Sequence, residues 1–170
     1  MAVRVPRGEL DRRYSSDGAT PTSWARARKE LERAKSYWLS TVRPNARPHV
    51  TTIAAVWLDG AVHFTTGARE RKARNLARNP YCIVTTGYRG LTGLDLVMEG
   101  KATSVTTTPA LRALAAAYRE KYGGLFRYEV RGKDLYHQGT VDRVLAYRLR
   151  ATKALGFGKG REFSQTRWRL

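Results

Sequence analysis

YWLSTVRPNARPHVTTIAAVWLDGAVHFTTG, residues 37–67, sets the fold class. Tyr37–Val42 is rich in β-branched and aromatic residues and reads as a strand. Residues 43–47 read as a turn. Residues 48–58 read as a second strand, with Val50, Ala54, Val56 and Leu58 on one face. Asp59-Gly60 is a strong two-residue hairpin signal, and Ala61–Thr66 forms the third strand. Strands this close in sequence are joined by tight turns, so the sheet is antiparallel.

The neighbouring segments fit that start. Upstream, Thr22 or Ser23 caps a helix whose Trp24, Ala27, Leu31 and Ala34 recur at helical spacing. Downstream, a short basic helix runs to Arg78 and stops at Asn79-Pro80. Tyr81–Thr86 is a fourth strand and residues 87–93 a loop. Residues 94–106 alternate, with Leu96, Met98, Ala102 and Ser104 on one side, and Gly100 marks a bulge or bend. A further helix starts from a Thr108 cap with Pro109 at its first position, and ends at Tyr122 before Gly123. Residues 124–139 read as loop with room for one helical turn. Residues 140–151 read as the last strand, Val141, Leu145, Tyr147 and Leu149 inward. The whole is mainly β with flanking helices, an antiparallel barrel and not a doubly wound sheet. Residues 1–20 form a basic arm, 21–151 the barrel domain, and 152–170 a Gly- and Arg-rich extension.

Composition narrows the function classes. The 170 residues are 42% hydrophobic and 27% charged, which suits one globular domain. Cys82 is the sole cysteine, so no intrachain disulfide or cysteine-cluster metal site can form. His49, His63 and His137 show no ligand spacing. No apolar run spans a membrane and no secretory leader is visible, so the expectation is a soluble cytoplasmic protein with no membrane partner. The net charge is +18. Such a surplus attracts polyanions, nucleic acid included, or simply decorates the surface.

Three stretches carry candidate chemistry. Thr65-Thr66-Gly67 ends a strand, and Arg69, Arg71, Lys72, Arg74 and Asn75 follow on a helix. Free N–H groups, hydroxyls and bases at a helix start make a phosphate seat; the alternative is a solvated basic face. On the second strand, Thr51 and Thr52 can offer hydroxyls to a planar ring, or merely favour the strand. In the tail, the glycines at 156, 158 and 160 permit close approach, and Trp168 and Arg169 can stack on a ring or grip an anion. The alternative is a free basic tail that binds nucleic acid weakly.

The chain resembles the FMN-binding split β-barrel superfamily, the pyridoxamine 5'-phosphate oxidase-like proteins, and looks closest to the actinobacterial F420-dependent flavin/deazaflavin oxidoreductases. The resembling residues are 37–44, Arg47 to Val50, Val56 to Gly60, Phe64 to Gly67, Lys72 to Leu76 ahead of Asn79-Pro80, and the closing Thr166-Arg167-Trp168-Arg169. The resemblance implies a homodimer with a cofactor site at each subunit interface. It places the cofactor phosphate at Thr65, Thr66, Gly67, Arg71, Lys72 and Asn75. The ring would lie along His49, Val50, Thr51 and Thr52, with Trp168 and Arg169 nearby. Coenzyme F420 is the implied cofactor and FMN the alternative, in hydride transfer to an unsaturated small molecule. The cofactor carries such chemistry, so no catalytic triad is required. Tyr88, Tyr118, Tyr122 and His137 are the candidate proton donors. The substrate-phosphate residues of true pyridoxamine 5'-phosphate oxidases have no match here. A flavin or haem carrier without turnover, or a basic nucleic-acid-binding module, is the alternative class.

Overall fold

The computed structural model describes residues 5–87 and 90–170. Strand β1 (Gly8–Leu10) leads through a short 3-10 turn to helix α1 (Trp24–Arg33). Strands β2 (Tyr37–Val42), β3 (Pro48–Ile53), β4 (Ala55–Leu58) and β5 (Ala61–Gly67) follow, then helix α2 (Arg71–Arg78). Strands β6 (Tyr81–Thr86) and β7 (Gly93–Ser104) precede helix α3 (Thr108–Tyr122). Strands β8 (Tyr128–Arg131), β9 (Asp134–His137), β10 (Arg143–Lys159) and β11 (Ser164–Arg169) complete the chain. All the ladders are antiparallel.

The 17-residue strand β10 is the spine. Its start holds β5 and β9 on opposite edges, β7 runs along it from Tyr147 to Lys159, and β11 pairs with Lys153 to Gly158. The sheet continues from β7 through β6 and β2 to β3, where it ends. The expected hairpin at Asp59-Gly60 is present, both residues having positive φ (48° and 72°), and Leu58 faces Ala61. Gly100 lies opposite Ala151, beside the bulge that sets Thr152 out of register. A Cβ at Gly100 would sit 2.2 Å from the Arg150 carbonyl oxygen, so only glycine fits that approach.

Several expectations are corrected. Residues 48–58 are two strands with different partners, β3 on β2 and β4 on β5. The break at Ala54-Ala55 is held by α3. The Tyr118 hydroxyl donates to the Ala54 carbonyl (2.9 Å), and Lys121 Nζ (2.9 Å) and the Tyr122 hydroxyl (2.8 Å) donate to that of Ala55. The Ala55 N–H donates to the same Tyr122 oxygen (3.0 Å). Side chains therefore satisfy backbone groups that a neighbouring strand would otherwise take, and the sheet stays split along this seam. Val50, expected on one face with Ala54, Val56 and Leu58, is 54% exposed on the edge strand, whereas Val56 is buried. Val141 is 87% exposed, because β10 begins only at Arg143 and Val144 takes the inward place. Ser104, expected beside Ala102 on the inward side, is exposed at the end of β7. The N-cap of α3 is Thr107, one residue before the expected Thr108.

The segment expected as loop, 124–139, holds the β8–β9 hairpin, turned at Gly132 with φ 62°. The tail expected as an extension is part of the sheet. β11 pairs with β10 on one side and β1 on the other, so Gly8–Leu10 and Ser164–Arg169 are both stitched into the sheet. Thr22 N–H donates to the Thr166 hydroxyl (2.9 Å), fixing the approach to α1, whose N-cap is Ser23. Inside, Leu39, Phe64, Leu96, Met98, Leu149 and Trp168 form one core. Leu111, Leu114 and Tyr118 of α3 form a second with Val56, Leu135 and Val144, against the seam.

Candidate functional site

At the end of β5 the chain turns sharply into α2. The Glu70 N–H donates to the Gly67 carbonyl (3.1 Å), and the Gly67 N–H donates back to the Glu70 carboxylate (2.7 Å). Glu70 is the N-cap residue of α2, yet its side chain caps none of that helix's own N–H groups. Its second carboxylate oxygen is paired with Lys72 Nζ. The Lys72 side chain is only 10% exposed, and that of Glu70 is 49% exposed. A buried ammonium and a backbone N–H therefore aim at one oxyanion position, which the chain's own carboxylate fills. Burial alone would raise the Glu70 pKa, but the bonds from Lys72 and Gly67 outweigh it and hold the carboxyl below its usual range.

This seat opens on a cleft of about 200 Å³ between Thr52–Ala54, Thr65–Gly67 and the side chains of Phe126, Tyr128 and His137. The Thr65 hydroxyl shares a 2.8 Å hydrogen bond with that of Tyr128, which ties β5 to the β8–β9 hairpin. Two further hollows adjoin it. One of about 550 Å³ shares Thr52, Ile53, Ala54 and Phe126, and extends to Lys35, Lys121 and Tyr122. The other, about 490 Å³, shares Gly67, Glu70 and His137 and reaches Arg69 and Arg143. Together they make one groove over the seam, basic at the Lys35 and Lys121 end and of mixed charge at the other, where Glu70 and Asp142 stand with Arg69 and Arg143. At one end Lys121 also donates to the Tyr37 hydroxyl (2.8 Å). Its burial, with Lys35 beside it, lowers its pKa to about 8.

The expected site residues separate into two groups. Thr52, Thr65, Thr66, Gly67 and Lys72 converge on the cleft. The others do not line it. Arg71 is exposed at the first helical residue. Asn75 is fully buried and donates to the Thr41 hydroxyl (2.9 Å), a tie between α2 and β2. His49 lies 3.3 Å from that same hydroxyl, and partial burial with Arg43, Lys72 and Arg71 lowers its pKa. Val50 faces outward, and Thr51 turns its hydroxyl into the interior, where it has no partner. Trp168 and Arg169 are on β11, which pairs with the other half of β10. Trp168 is fully buried, 5.5 Å from the Trp24 ring, so it is core and not a cleft wall of this subunit.

The candidate proton donors separate as well. Tyr118 is fully buried, and its hydroxyl is committed to the Ala54 carbonyl. Desolvation pushes its pKa well above the usual value, and that of Tyr122 upward too. Tyr88 lies outside the described residues. Of the three candidates among the described residues, His137 lines the cleft at the oxyanion seat. Glu70, Lys121, Phe126 and Tyr128 are the cleft residues that sequence reasoning missed. Glu70 had a local signal, a carboxylate three residues after a strand-ending glycine. The other three come from elements distant in sequence.

The sequence model of pyridoxamine 5'-phosphate oxidase matches residues 23–147, which contain the whole seam, the seat and α3. The chain belongs to the pyridoxamine 5'-phosphate oxidase family. Solved structures share the fold. A conserved hypothetical protein of Mycobacterium tuberculosis superposes with a TM-score of 0.67 at 21% identity, over 84% of this chain and 89% of the other. An F420 reductase superposes at 0.56 with 21% identity, over 74% and 93%. A pyridoxamine 5'-phosphate oxidase-related, FMN-binding protein of Nostoc punctiforme does so at 0.56 with 22% identity, over 85% and 83%. No curated protein matches the chain. The expected superfamily and its antiparallel split-barrel fold are borne out. Among the described residues, no helix is long and apolar enough to cross a membrane.

Proposed function

We propose that this member of the family binds a phosphorylated flavin-type cofactor, coenzyme F420 ahead of FMN, in the groove over the seam. The same proposal makes it an oxidoreductase that passes hydride to an unsaturated small-molecule acceptor. The observation that carries the reading is the seat: buried Lys72 and the Gly67 N–H already grip an oxyanion. A ligand phosphate finds the same donors once the half-exposed Glu70 side chain turns aside. Thr65 and Thr66 stand beside the seat, and Phe126 and Tyr128 form an apolar wall for a ring. The Lys35 and Lys121 end of the groove suits the acidic tail that F420 carries and FMN lacks. The solved structures of an F420 reductase and of an FMN-binding protein share the fold and support the cofactor class.

The bound cofactor supplies hydride chemistry; the chain supplies position, charge and a partly dry wall. His137 is the group placed to hold or deliver a proton in the cleft. A homodimer belongs to the same reading. Strand β3 ends the sheet with an open backbone edge and an exposed Val50, a face suited to a second copy beside the groove. The test is titration of purified protein with F420 and with FMN, followed by fluorescence. Saturable one-to-one binding, weakened by Lys72→Met, supports the proposal. A protein that binds neither, and instead binds DNA with steep salt dependence, overturns it.

A further inference from the structure

We propose that Glu70 is a specificity-determining residue, which makes the seat prefer a phosphodiester over a phosphomonoester; this rests on the flavin-type reading above. Its carboxylate sits on the donors a phosphate needs, the Gly67 N–H at 2.7 Å and the Lys72 ammonium. The contact is not helix capping, since the side chain bonds no N–H of α2. Gly67 is shaped to it: a Cβ there would lie 3.0 Å from the Glu70 oxygen.

An incoming phosphate displaces the carboxylate but cannot remove it. Glu70 is fixed at the helix start, three residues from Gly67, and the outer hollow beside it is lined by Asp142 as well as by Arg69 and Arg143. Its negative charge thus stays close to the seat. It opposes the two charges of a dianion more strongly than the single charge of a monoanion. A phosphomonoester is close to doubly charged above neutral pH, whereas a diester keeps a single charge. One extra unit of charge about 6 Å from a carboxylate weakens binding between about threefold and a hundredfold, depending on solvent screening. The ring-proximal phosphate of F420 is a diester and that of FMN a monoester, so the residue separates the two cofactors that Lys72 treats alike.

The experiment compares FMN, its phosphate methyl ester and F420 at pH 8, by fluorescence titration of wild type, Glu70→Gln and Glu70→Ala. Two variants guard against one that folds poorly, and thermal melting checks both. Wild type is expected to bind the methyl ester about tenfold more tightly than FMN. Both variants should tighten FMN about tenfold more than they tighten the two diesters. An ester-to-FMN ratio that is the same in wild type and variants overturns the proposal while leaving the flavin reading intact. Binding of none of the ligands by any of the proteins overturns both.

Discussion

Replacing Lys72 with methionine separates the seat from the surrounding surface charge. Methionine keeps the stem volume and removes the ammonium. In the wild type that ammonium is nearly buried and its partner Glu70 is half exposed. A charge-assisted hydrogen bond to phosphate is worth about 1.5–3 kcal/mol, which is about 10- to 150-fold in Kd. Loss of Lys72 also leaves the Glu70 carboxylate uncompensated beside the Gly67 N–H, so the effect falls toward the upper end of that range. Stability should change little, by about 1 kcal/mol or less, because the ion pair has one solvated member. Arg71 supplies the internal control. It is adjacent in sequence and equally charged, but exposed and outside the cleft. Arg71→Ala should weaken binding by about threefold or less, as a screened surface charge does. The assay is cofactor titration by fluorescence, with a thermal melt of each variant. If Lys72→Met melts like wild type and binds with unchanged Kd, or if Arg71→Ala is the variant that loses binding, the seat is misplaced.

Trp168→Ala should cost about 3–5 kcal/mol, read by urea denaturation, because the ring is fully buried in the core. Removal of residues 156–170 should therefore abolish folding and not merely cofactor binding; a folded truncated protein would contradict this. Lys121 makes stability rise with pH. Its pKa is about 8 in the fold against 10.5 ordinarily, so the unfolded chain binds more protons between those values. Wild type should gain about 1–2 kcal/mol over Lys121→Met between pH 8 and 10.5, discounted for partial exposure; parallel stability curves would refute the shift. Light scattering should give twice the chain mass, and Val50→Lys on the open edge of β3 should halve it; a monomeric wild type that still binds cofactor would rule out the interface site.

Local chemistry in the sequence determined the strand at Tyr37–Val42, the hairpin at Asp59-Gly60 and the glycine that ends α3, and narrowed the cap of α1 to Thr22 or Ser23, of which the fold uses Ser23. It also determined the core of the site, because Thr65, Thr66, Gly67 and Lys72 lie within eight residues and one strand-to-helix turn brings them together. Two misses had signals that were present. Gly132-Lys133 marks the β8–β9 turn, and Glu70 follows Gly67 at the spacing of a tight turn. The rest was decided by tertiary structure. Periodicity in 48–58 shows which residues alternate, but not that the strand changes partners at Ala54. That change depends on three side chains of α3 more than sixty residues away, which take up the freed backbone groups. Arg167-Trp168-Arg169 reads as a loose basic tail or as a segment laid on a ring or an anion. It becomes a strand because β1 and β10 flank it, and because Gly156 leaves the room that the Trp168 ring occupies. Spacing along a chain reports local geometry, whereas the choice of a strand's neighbour and the burial of a ring depend on what the distant chain brings to the other side.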